Sequence, residues 1–210
     1  MKNGPISQGS FTRYHNRKGC TSGTKQLVAY SPNWTAYFRE DKEQLERLLA
    51  GVANVEILHV GSTSLPISAK DIIDVLVVTE NDDEMKAVAG AIASRGERFG
   101  ITLSAKAFDF LDQISLAKRN CDGRTLAMIH VVVRGTMSHL GRTLFKKFLE
   151  ENPATLRQYE QVKQEASRKH QLGISTYAEA KGTFISDILT KAFKKYGIKG
   201  VMMDNRRPPQ

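Results

Sequence analysis

Cysteine is scarce in this 210-residue chain: Cys20 and Cys121 stand far apart and form no Cys-x-x-Cys pair. That excludes a disulfide framework and a zinc knuckle, and it predicts two reduced thiols in a cytoplasmic protein. Long apolar runs are missing too. Nothing approaches the roughly 18–20 residues a bilayer span requires, so no membrane partner is expected. The opening residues, MKNGPISQGSFTRYHNRKG, contain no apolar stretch of the signal-peptide kind, so export is not expected. Internal repeats and low-complexity tracts are absent. With 40% hydrophobic and 25% charged residues, the composition is that of a globular protein with one full core.

Acid is missing from one particular place. Residues 1–25 carry Lys2, Arg13, Arg17, Lys18 and Lys25 and no Asp or Glu, a net +5. Residues 191–210 carry Lys191, Lys194, Lys195, Lys199, Arg206 and Arg207 against Asp204, again +5. The formal charge of +9 therefore resides in the two ends, and residues 26–190 sum to −1. A folded nucleic-acid-binding face is not supported, although basic tails could still attract a polyanion such as RNA.

Residues 1–25 read as a mobile basic extension, 26–196 as one domain and 197–210 as a basic tail. Within the domain, Gln26–Tyr30 suits a short strand. Ser31-Pro32 marks a helix start, with Ser31 as N-cap and Pro32 at the first helical position. Trp34, Tyr37, Phe38, Leu45, Leu48 and Leu49 then recur at helical spacing to about Ala50. Val55–Val60 reads as a strand ending at Gly61. After the small-residue turn Gly61–Ser68, the run Ile72–Val78 suits a strand covered on both faces. The acids at 80–84 precede a helix near 84–95 and favour its first turn. Residues 98–104, 107–117 and 125–134 give further strands, and Asp122-Gly123 marks a hairpin turn. Helices follow at 138–151, 153–169 and 177–196. The layout is α+β: one mixed sheet with flanking helices and a C-terminal helical layer.

The stretch from His59 to Val78, HVGSTSLPISAKDIIDVLVV, carries the chemistry. Gly61 permits a tight turn and close approach of a ligand. The amides and hydroxyls of Ser62, Thr63 and Ser64 offer donors to phosphate oxygens. Asp74, in the following strand, is an acid suited to Mg²⁺ or Mn²⁺ shared with a nucleoside triphosphate. The competing reading of Gly61-Ser62 is an ordinary strand-to-loop turn, and that of Asp74 is a structural ion pair, for which Lys70 is available. Asp71 is either a solvated turn residue or a second ligand. Tyr159 and Lys163, and Tyr177 and Lys181, are each four residues apart and share a helix face. Their lysines either neutralise phosphates or lie on the surface beside half-buried tyrosines. His130, on an apolar strand, is a core histidine or a catalytic base; His59 reads the same way.

These residues resemble the GrpB family, described as nucleotidyltransferase-like and related to the polymerase-beta superfamily. The resemblance rests on YSPNWTAYF from Tyr30, HVGSTS-LP from His59, AK-IID from Ala69, and His130-Val131. Pro153, Tyr159, Lys163, Tyr177, Lys181 and Phe184 add to it, so it spans about residues 26–196. It implies a Gly-Ser turn that binds triphosphate and a strand acid, Asp74, that holds metal. Three departures stand out. The second acid of the superfamily's Asp-x-Asp pattern falls on Leu76, and Asp71 lies three residues before Asp74, out of phase for one strand face. The turn has no Gly after Pro66, and Leu58 stands where an acid is common. Lys146 and Lys147 replace an Arg-Asp pair. The resemblance thus implies a nucleotide-binding protein that transfers a nucleoside monophosphate to an unidentified acceptor. The alternatives are a module that keeps the fold without catalysis, and an RNA-associated protein acting through its basic tails.

Overall fold

The Ile- and Val-rich run after Asp71 forms strand β2 (Ile73–Thr79), buried along its length except at Asp74. The computed structural model describes residues 17–21, 26–172 and 176–199. Beside β2 are β1 (Glu56–Val60), β3 (Ile101–Leu103), β4 (Gln113–Arg119) and β5 (Thr125–Val133). They form one five-stranded sheet in the order β1-β2-β5-β4-β3. Only β2 and β5 are parallel, so the sheet is mixed, as the sequence predicts.

One face of the sheet is covered by α1 (Asn33–Leu49) and α2 (Asp82–Gly96). Trp34, Leu45, Val75, Val77, Ile92, Leu116, Ile129 and Val131 meet there in the main core. Trp34 is 1% exposed, and truncating a side chain of that size costs about 3–5 kcal/mol. On the opposite face lie Val60, Leu76, Val78 and Val132. The C-terminal layer is α3 (Met137–Glu151), α4 (Pro153–Gln171) and α5 (Tyr177–Lys195), as expected. Its cores join Leu65 and Ile67 of the turn to Leu149 and Tyr159, and Phe148 to Ile188 and Ala192.

Local chemistry explains the ends of these elements. Asn81 caps α2 by accepting from Glu84 N at 2.9 Å, and Asp82, Asp83 and Glu84 occupy its first turn. Thr176 and Glu179 form a capping box at the start of α5. The β4–β5 hairpin turns at Gly123, which has φ +74°.

Several expectations need correction. Helix α1 begins one residue late: Pro32, not Ser31, is the N-cap and no side chain caps it, while Ser31 accepts Trp34 N through its carbonyl at 3.2 Å. Among the described residues, 26–30 form no strand and make one bridge, between Val28 and Ala69. Strand β4 starts at Gln113 rather than near 107, since Ala107–Asp112 forms the turn whose Asp112 bonds the first turn of α3. Residues 17–21, assigned to the mobile extension, are docked: Arg17 is buried and paired with Asp41, and Cys20 bridges to Thr125. The rest of that extension, and most of the basic tail, lie outside the described residues. Cys20 and Cys121 are both free thiols. Among the described residues, no helix is long and apolar enough to cross a membrane.

Candidate functional site

Strand β1 delivers the chain to Gly61, whose backbone adopts φ 70°, ψ −171°. A Cβ there would lie 2.1 Å from Asp74 Oδ2, so glycine allows the turn to pass directly over the Asp74 carboxylate. The close approach anticipated for a ligand is thus used first by the protein itself. A one-turn 3₁₀ helix, Ser62–Ser64, follows.

The three hydroxyls expected to serve phosphate separate here. Ser64 Oγ donates to Gly61 O at 2.7 Å, and buried Thr63 Oγ1 donates to Ile72 O at 3.3 Å beside His59 Nε2 at 3.1 Å. Both are tied into the turn. Ser62 Oγ faces Tyr159 OH at 3.5 Å, on the side of α4. His59 is stacked on Phe38 with ring centroids 4.7 Å apart. Burial, with Lys146 nearby, lowers its pKa to about 4, which makes it a neutral structural histidine.

Asp74 sits on the sheet face away from α1 and α2, with its side chain about a third exposed (34%). Its Oδ1 lies 3.8 Å from His130 Nε2, an electrostatic contact longer than a hydrogen bond. Burial pushes the carboxyl up, but His130, Lys70 and Arg142 together outweigh it, and Asp74 is held below the usual carboxylate range. Burial and Arg142 hold His130 down against the pull of Asp74, so the imidazole is neutral at pH 7. Its Nδ1 meets Ser115 Oγ at 3.2 Å. Behind it, Arg142 donates to Gln113 Oε1 and to Ser138 O, each at 2.7 Å, and Asp112 accepts from Ser138 N and Oγ at 2.8 and 2.7 Å.

Asp71, read as a solvated turn residue or a second metal ligand, has both carboxylate oxygens on protein donors. Its Oδ1 accepts the Trp34 indole N–H at 2.9 Å and its Oδ2 accepts Gly19 N at 3.2 Å. Both oxygens are turned toward α1 and the N-terminal segment, because the three-residue spacing puts Asp71 out of phase with Asp74.

The lysines also part company. Lys163 is 1% exposed, donates to Ser68 O and lies 5.4 Å from the Tyr159 ring centroid. Burial, reinforced by Lys181, lowers its pKa to about 7. It is thus not a surface lysine, and its bond to Ser68 O ties α4 to the turn. Lys181 and Lys70 lie 4.7 and 5.5 Å from the Tyr177 ring centroid. Burial raises the hydroxyl pKa of both Tyr159 and Tyr177, which keeps them protonated.

Above the turn opens a cleft of about 590 Å³, lined by Gly61, Tyr159 and Lys181 together with Arg142, Lys146, Phe110, Met137 and Phe145 among others. Of the residues singled out in the sequence, Gly61, Tyr159 and Lys181 line it; Ser62 meets Tyr159, Asp74 lies against Gly61 and His130 beside Asp74. Arg142, Gln113, Ser115 and Phe110 were missed. An isolated arginine in an amphipathic helix, or a phenylalanine in a turn, carries no periodic signal.

Similarity to known proteins can now be set beside this geometry. Residues 24–191 match the family profile described as GrpB protein. The chain belongs to the GrpB family. A GrpB relative, the Glutamate-rich protein GrpB of Alkalihalophilus pseudofirmus, is 29% identical over 182 residues, covering 82% of this chain and 98% of that one. A UPF0157 protein of Halalkalibacterium halodurans is 30% identical over 169 residues, 79% of this chain and 81% of its own length. The crystal structure of conserved protein GrpB from Enterococcus faecalis superposes with a TM-score of 0.70 at 29% identity, over 82% of this chain and 99% of that one.

The donor set of this GrpB site does not suit a resident pair of Mg²⁺ or Mn²⁺ ions. On the face of Asp74, the next inward position of β2 is Leu76, 0% exposed, and its neighbours across the sheet are Leu58 and His130. Magnesium in nucleotide sites takes carboxylate and phosphate oxygens, and here one carboxylate is offered. Among the described residues no group of three or more His, Cys, Asp or Glu could hold a metal ion.

Proposed function

We propose that this GrpB-family protein binds the phosphate chain of a nucleoside triphosphate in the cleft beside Gly61, as a module that does not transfer the nucleotide. One observation carries the reading: the charged side chains lining the cleft, Arg142, Lys146 and Lys181, are all cationic. Arg142 has five N–H donors and Lys146 three, more than their protein contacts use, and Ser62 adds a hydroxyl. The resemblance to nucleotidyltransferases supports the choice of a nucleoside triphosphate over other polyanions.

Transfer of a nucleoside monophosphate to an acceptor needs more than this. A second carboxylate beside Asp74 would have to stabilise the charge that develops at phosphorus, and Leu76 occupies its position. His130 is turned to Ser115 and Asp74, so it stabilises the buried face rather than drawing a proton from an acceptor. Asp74 acts as a fixed negative charge beneath the turn, and no metal is required for binding. The reading in which RNA is held by the basic ends has no support of this kind, because those ends lie largely outside the described residues.

Thermal unfolding with each nucleoside triphosphate, in chelator and in Mg²⁺, tests the proposal. Ligand at 100 times its dissociation constant adds about 2.7 kcal/mol, or about 5–10 °C for a chain of this size. The expected result is a shift of that order that chelator leaves intact and Lys181→Met reduces. A shift that requires Mg²⁺ and disappears with Asp74→Ala would return the site to metal-dependent chemistry.

A further inference from the structure

We infer that the apolar part of the same cleft is a nucleobase subsite without base preference, with Phe110 as its stacking face; the inference rests on the triphosphate reading above. Besides its three cations the cleft is lined by Phe110, Met137, Phe145, Ile185 and Leu189. A pure polyphosphate site has no use for so apolar a lining, to which Leu65 also belongs, whereas a base has two apolar faces to cover. The volume, about 590 Å³, lies within the roughly 300–1,000 Å³ usual for small-molecule sites. Phe110 belongs to the β3–β4 connection rather than to the helices that supply most of the lining, so its ring can cover one face of a base held against those helices.

Base identity is read by groups that match a base edge: amide and carboxylate side chains, and Arg or Lys on guanine. The lining holds no Asn, Gln, Asp or Glu. Its two hydroxyls face other partners: Ser138 Oγ donates to Asp112 Oδ1 at 2.7 Å, and Tyr159 OH meets Ser62 Oγ at 3.5 Å. With the three cations on the phosphate chain, none is left for a guanine edge. Stacking remains, and stacking tolerates every base.

Calorimetric titration of the full chain with ATP, GTP, CTP, UTP, inorganic tripolyphosphate and dodecyl phosphate tests this, in chelator, for the parent, Phe110→Ala and Phe110→Leu. ATP and GTP should bind within about threefold of each other, the pyrimidine nucleotides less than about tenfold more weakly, and all four more tightly than tripolyphosphate. Phe110→Ala should weaken the nucleotides by about tenfold and leave tripolyphosphate unchanged. Phe110→Leu, which keeps bulk but not the ring, should also weaken them. Preference for one base beyond about tenfold, or tripolyphosphate binding as well as ATP, overturns the subsite while leaving the phosphate site intact. Dodecyl phosphate binding more tightly than every nucleotide assigns the apolar lining to an alkyl chain and overturns it as well. Failure of tripolyphosphate and all nucleotides to bind overturns the phosphate reading and the subsite together.

Discussion

Replacing Gly61 with alanine should be the most damaging single-methyl change in the turn. The backbone at φ 70°, ψ −171° lies in a region essentially restricted to glycine, where a side chain costs about 1–3 kcal/mol. The added Cβ would also stand 2.1 Å from Asp74 Oδ2 and 2.9 Å from Asp74 Cβ, so rotating the carboxylate away does not clear it. Overpacking of that kind adds about 1–3 kcal/mol. The total is about 2–6 kcal/mol, a fall in Tm of roughly 4–24 °C at 2–4 °C per kcal/mol. Gly51→Ala is the control: φ is +75°, nothing lies within 4 Å, and the cost should be about 1–2 kcal/mol from backbone strain alone. Urea denaturation of both variants, with unchanged m, gives the difference. If Gly61→Ala is no worse than Gly51→Ala, the turn does not rest on Asp74 and the site geometry is wrong.

Three further expectations concern the supports of the fold. Asp71→Ala removes the acceptor of the Trp34 indole and of Gly19 N; it should cost about 1–3 kcal/mol and shift Trp fluorescence, while ATP binding by calorimetry stays at the parent value. Asp41→Ala strips buried Arg17 and Lys118 of the carboxylate they share at 3.0 and 2.7 Å, and denaturant titration should show a loss of about 3–5 kcal/mol; a loss below about 1 kcal/mol would mean that Asp41 does not anchor Arg17. Lys163 has its folded pKa lowered to about 7, from 10.5. Between those values the unfolded chain binds the extra proton, so Lys163 contributes a rise in stability with pH of up to about 1.4 kcal/mol per unit. In Lys163→Met, urea midpoints should lose that component of the slope between pH 7 and 10. His59, neutral in the fold down to about 4, acts in the same direction below 6.5: stability falls as the unfolded chain gains the proton.

The fold was legible where burial dictates pattern. The run Ile72–Val78 has the length and the β-branched composition of a covered strand, and the acids after it open α2, where the helix dipole favours them. Less legible were segments held only by long-range bonds. Arg17 docks because Asp41 lies far along the sequence, and a basic, glycine-rich stretch gives no local sign of it. Around the cleft, the turn that carries Gly61 and Ser62 to the strand of Asp74 was legible because a turn between two strands leaves a signature in order and spacing. Lys163 could not be told from Lys181: both follow a tyrosine by four residues, and only tertiary packing buries one under the turn and leaves the other at the cleft. Thr63 and Ser64 were likewise indistinguishable from Ser62 until the 3₁₀ turn directed their hydroxyls inward.

Titration of ATP into the protein by calorimetry, once in EDTA and once in Mg²⁺, with pyrophosphate assayed in the same samples, tests the central claim most directly. Equal affinity in both, with no pyrophosphate formed, is the predicted result. Binding that appears only with Mg²⁺, accompanied by pyrophosphate release, contradicts it.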